Sequence, residues 1–128
     1  MNGKKDKKGR TKMFFLIIQL FKIEYKEDVL LALTSCDIKK GSTFEGYNLD
    51  KALQRDFPLF TGLIKSEDER ERYSLLITAV VEKKAKAKEL IDILKEADID
   101  VEKEEILRLI LLPVESVVDN EIHWERKT

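Results

Sequence analysis

MFFLIIQLF, residues 13–21, is an almost unbroken apolar run held between Lys12 and Lys22. It is far too short to cross a bilayer as a helix, which takes about 20 residues. At about 3.3 Å per residue it suits one long strand, and its lack of alternation is that of a strand in the middle of a sheet with apolar neighbours on both faces. A second run of the same kind, YSLLITAVV at 73–81, is its natural partner.

Each run is followed by a helical pattern and then a further strand. After the first, Val29, Ala32, Leu33 and Cys36 recur at helical spacing, with Glu27 and Asp28 in the first turn, where negative charge suits the helix dipole. Lys39-Lys40-Gly41 is expected to end this helix, with the glycine taking a left-handed turn. Thr43–Tyr47 then reads as a short strand rich in Thr and aromatic residues. After the second run, Ala87, Leu90, Ile91, Leu94 and Ala97 form one face of a helix over Ala85–Ala97. The last strand is ILRLILLPVESVV, residues 106–118, where Pro113 lacks an N–H and demands an edge position or a break.

Two strand-helix-strand halves, each crossing right-handed, interleave as a ferredoxin-like α+β fold. The expected order is βαββαβ: a four-stranded antiparallel sheet with two helices on one face and the two apolar runs at its centre. The other face has no helix to cover it although its strands are apolar, which predicts self-association. The connection from Asn48 to Arg72 is about 25 residues, longer than connections without a purpose usually are. It carries an apolar patch of Phe57, Leu59, Phe60, Leu63 and Ile64 and the charge run SEDERER.

A chain of 128 residues makes one domain. The organisation expected is a disordered basic tail over 1–12, the domain over 13–118 and a C-terminal extension over 119–128. The tail holds six basic residues and one acid, while the rest holds 18 basic and 24 acidic residues. An acidic body argues against nucleic acid as a partner, and a short Lys/Gly tail is expected to be solvated. The apolar run leads straight into FKIEYKED without a small-residue cleavage site, which reads against a secretory signal. The single cysteine, Cys36, rules out an intrachain disulfide and suits a reducing cytoplasm. No membrane span is expected.

No phosphate-binding G-x-x-x-x-G-K-[ST], G-x-G-x-x-G, paired cysteines or H-E-x-x-H appears. Without an acid-base or nucleophilic constellation the chain does not read as an enzyme. Cys36 lies on the apolar stripe of its helix and is expected to be a core residue. His123, the only histidine, stands between Glu121 and Glu125 and is the one candidate metal ligand.

In order and spacing, several short motifs resemble the nitrogen-regulatory PII superfamily, as a divergent PII-like member. The step Leu20-Phe21-Lys22 precedes Asp28-Val29-Leu30-Leu31-Ala32-Leu33, in the manner of that family's first strand and helix. Gly41-Ser42-Thr43-Phe44-Glu45-Gly46 matches its glycine turn and second strand, and Leu112-Pro113-Val114 matches its last. The resemblance implies a non-catalytic signalling homotrimer with clefts between subunits that sense a small ligand, adenine nucleotide in the family. Thr43, Glu45 and Gly46 match the ligand-lining strand. Asn48, Phe57 and Phe60 fall in the 48–72 segment, which takes the place of the family's partner-binding loop. Two departures work against nucleotide. The family's glycine-rich phosphate turn reads VEKEEIL at 101–107, and its Arg-x-Arg pair is replaced at Asp119, Asn120 and Glu121. The alternative is a divalent-metal-binding trimer resembling the CutA-type proteins, which share this architecture, with His123 as the ligand.

Overall fold

A computed structural model describes residues 13–49, 73–120 and 123–124 of the chain. The elements are β1 (Met13–Leu20), a 3-10 turn (Ile23–Tyr25), α1 (Lys26–Ser35), β2 (Ser42–Tyr47), β3 (Tyr73–Val81), α2 (Lys84–Glu96) and β4 (Leu107–Val114). A short hairpin follows, formed by β5 (Val117–Val118) and β6 (His123–Trp124). The four long strands form one sheet in the order β2-β3-β1-β4, with every neighbouring pair antiparallel. This is the ferredoxin-like topology, and the two most apolar strands occupy its centre.

Alternation along each strand divides the sheet into two faces. Phe14, Leu16, Ile18 and Leu20 of β1 join Leu75, Ile77 and Val81 of β3 in one buried cluster. Val29 and Leu33 of α1 and Leu90 and Leu94 of α2 close over it. The opposite face carries Phe15, Ile17, Leu76, Val80 and Ile110, all half-buried. At its margins Phe44 and Leu112 are 54% and 46% exposed. Among the described residues, the run that reads as apolar on both faces is therefore buried on one face and, at Phe15 and Ile17, half-buried on the other.

Both helices end in the same device. The N–H of Ile38 donates to Leu33 O at 3.0 Å and that of Asp37 to Thr34 O at 3.0 Å. In α2 the N–H of Ile99 donates to Leu94 O at 2.9 Å and that of Asp98 to Lys95 O at 3.0 Å. These are paired Schellman bonds, with Asp37 (φ 61°) and Asp98 (φ 62°) in the left-handed position. An aspartate tolerates that region better than most side chains, and the isoleucine after it turns back to the core, Ile99 being fully buried. The repeated Asp-Ile step thus ends each helix.

This corrects three expectations. Gly41 does not end α1, because Asp37 has already done so. Gly41 is required instead by a close approach: a Cβ there would lie 2.6 Å from the Thr78 carbonyl oxygen and 3.2 Å from Ala79 Cβ. Ala97 is not on the buried face of α2 but is its exposed C-cap, and Ile93 packs against the core in its place. The last strand does not run unbroken to Val118. It stops at Val114, and Val117–Val118 turns away to pair with His123–Trp124. Pro113 accordingly sits near the end of an edge strand, where a missing N–H is tolerated.

Gly41→Ala should lower stability by about 1–3 kcal/mol, the usual cost of forcing a methyl into occupied space. The midpoint of urea unfolding measures it; an unchanged midpoint would show that β3 yields freely at Thr78.

Candidate functional site

The topology gathers four strand ends at one end of the sheet. β1 and β2 finish there, while β3 and β4 begin there. Past the end of β1, the N–H groups of Phe21 and Lys22 both donate to Ile106 O, at 2.8 and 3.3 Å. This ties the β1 exit to the turn before β4. Past the end of β2, Asn48 Nδ2 donates to Phe21 O at 3.4 Å and to Tyr73 O at 3.3 Å. One side chain therefore links the ends of β1, β2 and β3. Beside it the rings of Tyr47 and Tyr73 lie 5.2 Å apart at 34°, so the point where the 48–72 connection leaves the sheet and the point where it returns are held together.

These ends surround a concavity of about 1060 Å³. Phe21, Lys22, Asn48 and Leu49 line one side, the turn Val101–Glu105 another, and Ile91 of α2 with Leu107, Arg108 and Leu109 of β4 complete it. Its lining mixes apolar side chains with three bases (Lys22, Lys103 and Arg108) and three carboxylates (Glu102, Glu104 and Glu105). Arg108 interrupts an otherwise apolar strand. Its guanidinium lies 5.7 Å from the Phe21 ring centre and its Nη1 donates to Gln19 Oε1 at 3.4 Å. The cleft is open: Phe21, Lys22, Asn48, Ile91, Val101 and Leu109 are half-buried in it, while Leu49, Arg108 and the 102–105 side chains are exposed.

Thr43, Glu45 and Gly46 lie along the middle of the edge strand β2 and do not line this concavity, which begins two residues beyond Gly46 at Asn48. Thr43 and Glu45 are exposed, and Glu45 Oε1 is 4.0 Å from Lys26 Nζ of α1, a contact of little energetic weight at such exposure. Gly46 is half-buried opposite Ser74. Asn48 is drawn into the site by its bonds to Phe21 and Tyr73. Phe57 and Phe60 lie outside the described residues. The His123 backbone pairs with Val118 in the terminal hairpin, and its side chain lies outside the description. Among the described residues no group of three or more His, Cys, Asp or Glu is placed to hold a metal ion. Phe21, Lys22, Ile91 and Arg108 were not foreseen as site residues. The one signal for them was a lone cation, Arg108, inside an apolar strand.

Asp119 and Asn120, which stand where a basic pair would be expected, have a different use. Lys40 Nζ donates to Asn120 Oδ1 at 2.8 Å and to Asp119 Oδ2 at 3.3 Å, holding the start of the terminal hairpin beside the loop that leads into β2. Cys36 is buried in the core, as its place on the α1 stripe suggested. Burial pushes its thiol upward, nearby Glu89 adds to that, and Lys86 opposes it. Lys86 Nζ also donates to Cys36 O at 2.6 Å, placing a cation at the C-terminal end of α1. No helix among the described residues is long and apolar enough to cross a membrane.

No protein-family model matches the chain, and no curated protein matches it. Among solved structures it is similar to CPII, a nitrogen regulatory PII-like protein from Thiomonas intermedia K12, bound to ADP, AMP and bicarbonate. That match has 13% identity over 80% of this chain and 90% of CPII, at a TM-score of 0.47. It is similar to the apo form of CPII at 15% identity over 80% and 91%, TM-score 0.44. A PII-like signaling protein from Thermus thermophilus is similar at 13% identity over 81% and 90%, TM-score 0.45. Identities this low leave function to be argued from the chain's own residues.

A thiol-specific reagent at pH 8 should label Cys36 slowly in the native protein and completely in denaturant, because the thiol is both buried and held protonated. A raised thiol pKa also means that stability falls as pH rises past the unfolded thiol's range, where only the unfolded chain releases the proton. Equal labelling rates in the two states would contradict the core placement.

Proposed function

We propose that this chain is a non-catalytic, PII-like regulatory protein that works as a homotrimer. A small ligand occupies the concavity at the end of the sheet and biases the 48–72 segment between conformations that a protein partner reads. The observation that carries this reading is the composition of the concavity. Asn48 and Leu49, where the long segment begins, form part of the same lining as the 101–105 turn and Arg108. A ligand there touches the root of the segment directly, so differential contacts with two conformations of that root are available to it. The sequence motifs that resemble the PII superfamily point the same way, and they make an adenine-containing molecule the first ligand to test.

Assembly is supported by the open sheet face. Phe15, Ile17, Leu76, Val80 and Ile110 form a contiguous apolar surface that neither of the described helices, α1 and α2, covers. Three copies that bury this face against one another would explain why β1 and β3 are apolar on both sides.

Light scattering on the full chain should give the mass of three chains. Ile110→Asp, on the open face beside Ile17, should reduce it to one, while Leu31→Asp, on the 63% exposed site of α1, should leave it unchanged. A wild-type monomer would overturn the trimer. Calorimetric titration with adenosine, AMP, ADP and ATP should give saturable heat for at least one of them, abolished by Ile91→Arg in the floor of the concavity. No heat for any would remove the adenine version.

A further inference from the structure

The turn that leads into β4 engages four of the six N–H groups of residues 101–106 within itself. A turn that cradles phosphate must aim unpaired N–H groups outward, as helix N-termini and nests do. Here the N–H of Glu102 donates to Asp100 Oδ1 at 3.1 Å. Those of Lys103 and Glu104 donate to Asp100 O at 3.3 and 3.2 Å, and that of Ile106 to Glu104 O at 2.9 Å. Asp100 thereby supplies from within the turn, through its carbonyl oxygen and one carboxylate oxygen, acceptors that a bound phosphate would otherwise bring.

The side chains of the same turn oppose phosphate as well. Among the described lining residues, Glu102, Glu104 and Glu105 balance the three bases, so these residues together carry no net positive charge. Among those bases, Lys103 stands between two of the glutamates in sequence, and Arg108 is drawn to the Phe21 ring and Gln19. An anionic ester placed here meets carboxylates, and the N–H groups of Glu102, Lys103 and Glu104 that could offset them are already engaged. What remains favourable is apolar: Phe21, Leu49, Ile91, Val101, Leu107 and Leu109.

We propose, resting on the reading of this concavity as the ligand site, that the 100–106 turn is a filter against phosphate esters, and that the ligand class is an uncharged molecule with an apolar or aromatic body. Within adenine-containing molecules this selects the nucleoside over the nucleotide.

The test is calorimetry of adenosine, AMP and ATP in magnesium-free buffer, on the wild-type chain and on Glu102→Gln/Glu104→Gln/Glu105→Gln. The three glutamates are exposed, so the variant keeps the fold. Affinity should fall with each added phosphate, by about tenfold or more from adenosine to ATP in the wild type, and the variant should narrow that gap. ATP binding as tightly as adenosine to the wild type, or a gap unchanged in the variant, would overturn the filter and leave the ligand site standing. ATP binding only to the variant, with adenosine silent throughout, would uphold the filter while removing the nucleoside. Silence from all three ligands on both proteins would overturn the filter together with the adenine reading.

Discussion

The structure depends on β1 being hydrogen-bonded on both of its edges. Leu20 is paired with Leu75 on one side and Leu107 on the other, and Phe14 with Val81 and Pro113. A strand so placed leaves no backbone donor or acceptor along its length to water, so it tolerates an apolar sequence that would aggregate at an edge. The same pairing aligns Leu16, Ile18 and Leu20 with the buried residues of β3 and with Leu109 and Leu111 of β4. Both helices then dock on one continuous apolar surface. Remove this central strand and neither half of the chain has a sheet to pack on.

That pairing also builds the site. Because β1 and β2 end where β3 and β4 begin, the irregular backbone of four strand ends is concentrated in one place. Its donors must be met locally. The Ile106 carbonyl meets those of Phe21 and Lys22, and the side chain of Asn48 reaches the carbonyls of Phe21 and Tyr73. A contact made in the concavity is therefore one or two bonds from the root of the long connection. The opposite end of the domain is held by Lys40 on Asp119 and Asn120, a tether across 79 and 80 residues that fixes the start of the terminal hairpin.

The two halves of the chain solve the same local problem in the same way. SCDIK and EADID each place aspartate in the left-handed position, followed by an isoleucine that packs against the core (Ile38) or lies within it (Ile99). Each helix stops where its crossover must turn back toward the sheet. A more flexible glycine is thereby left unnecessary at the helix ends, and Gly41 is freed to serve where β3 passes too close for a side chain.

Much of the fold is legible in the residues themselves. Uninterrupted apolar runs name the two central strands, since only a doubly paired strand tolerates them, and helical spacing names both helices. Proline at 113 marks the edge. The resemblance of short motifs supports the same topology and a regulatory reading. The site is less legible. Thr43, Glu45 and Gly46 lie within four positions of one another, whereas Phe21, Asn48, Ile91 and Arg108 of the concavity are separated by up to 87 positions and meet only through the tertiary fold. Nor does sequence say which donors are engaged. VEKEEIL shows that glycine is absent, but only the folded turn shows Asp100 accepting from three of its N–H groups. Local pattern determines which segments become strands and helices, because burial periodicity is written along the chain. Which side chains share a cavity, and which backbone groups remain available to a ligand, is decided by tertiary pairing, because both depend on residues distant in sequence.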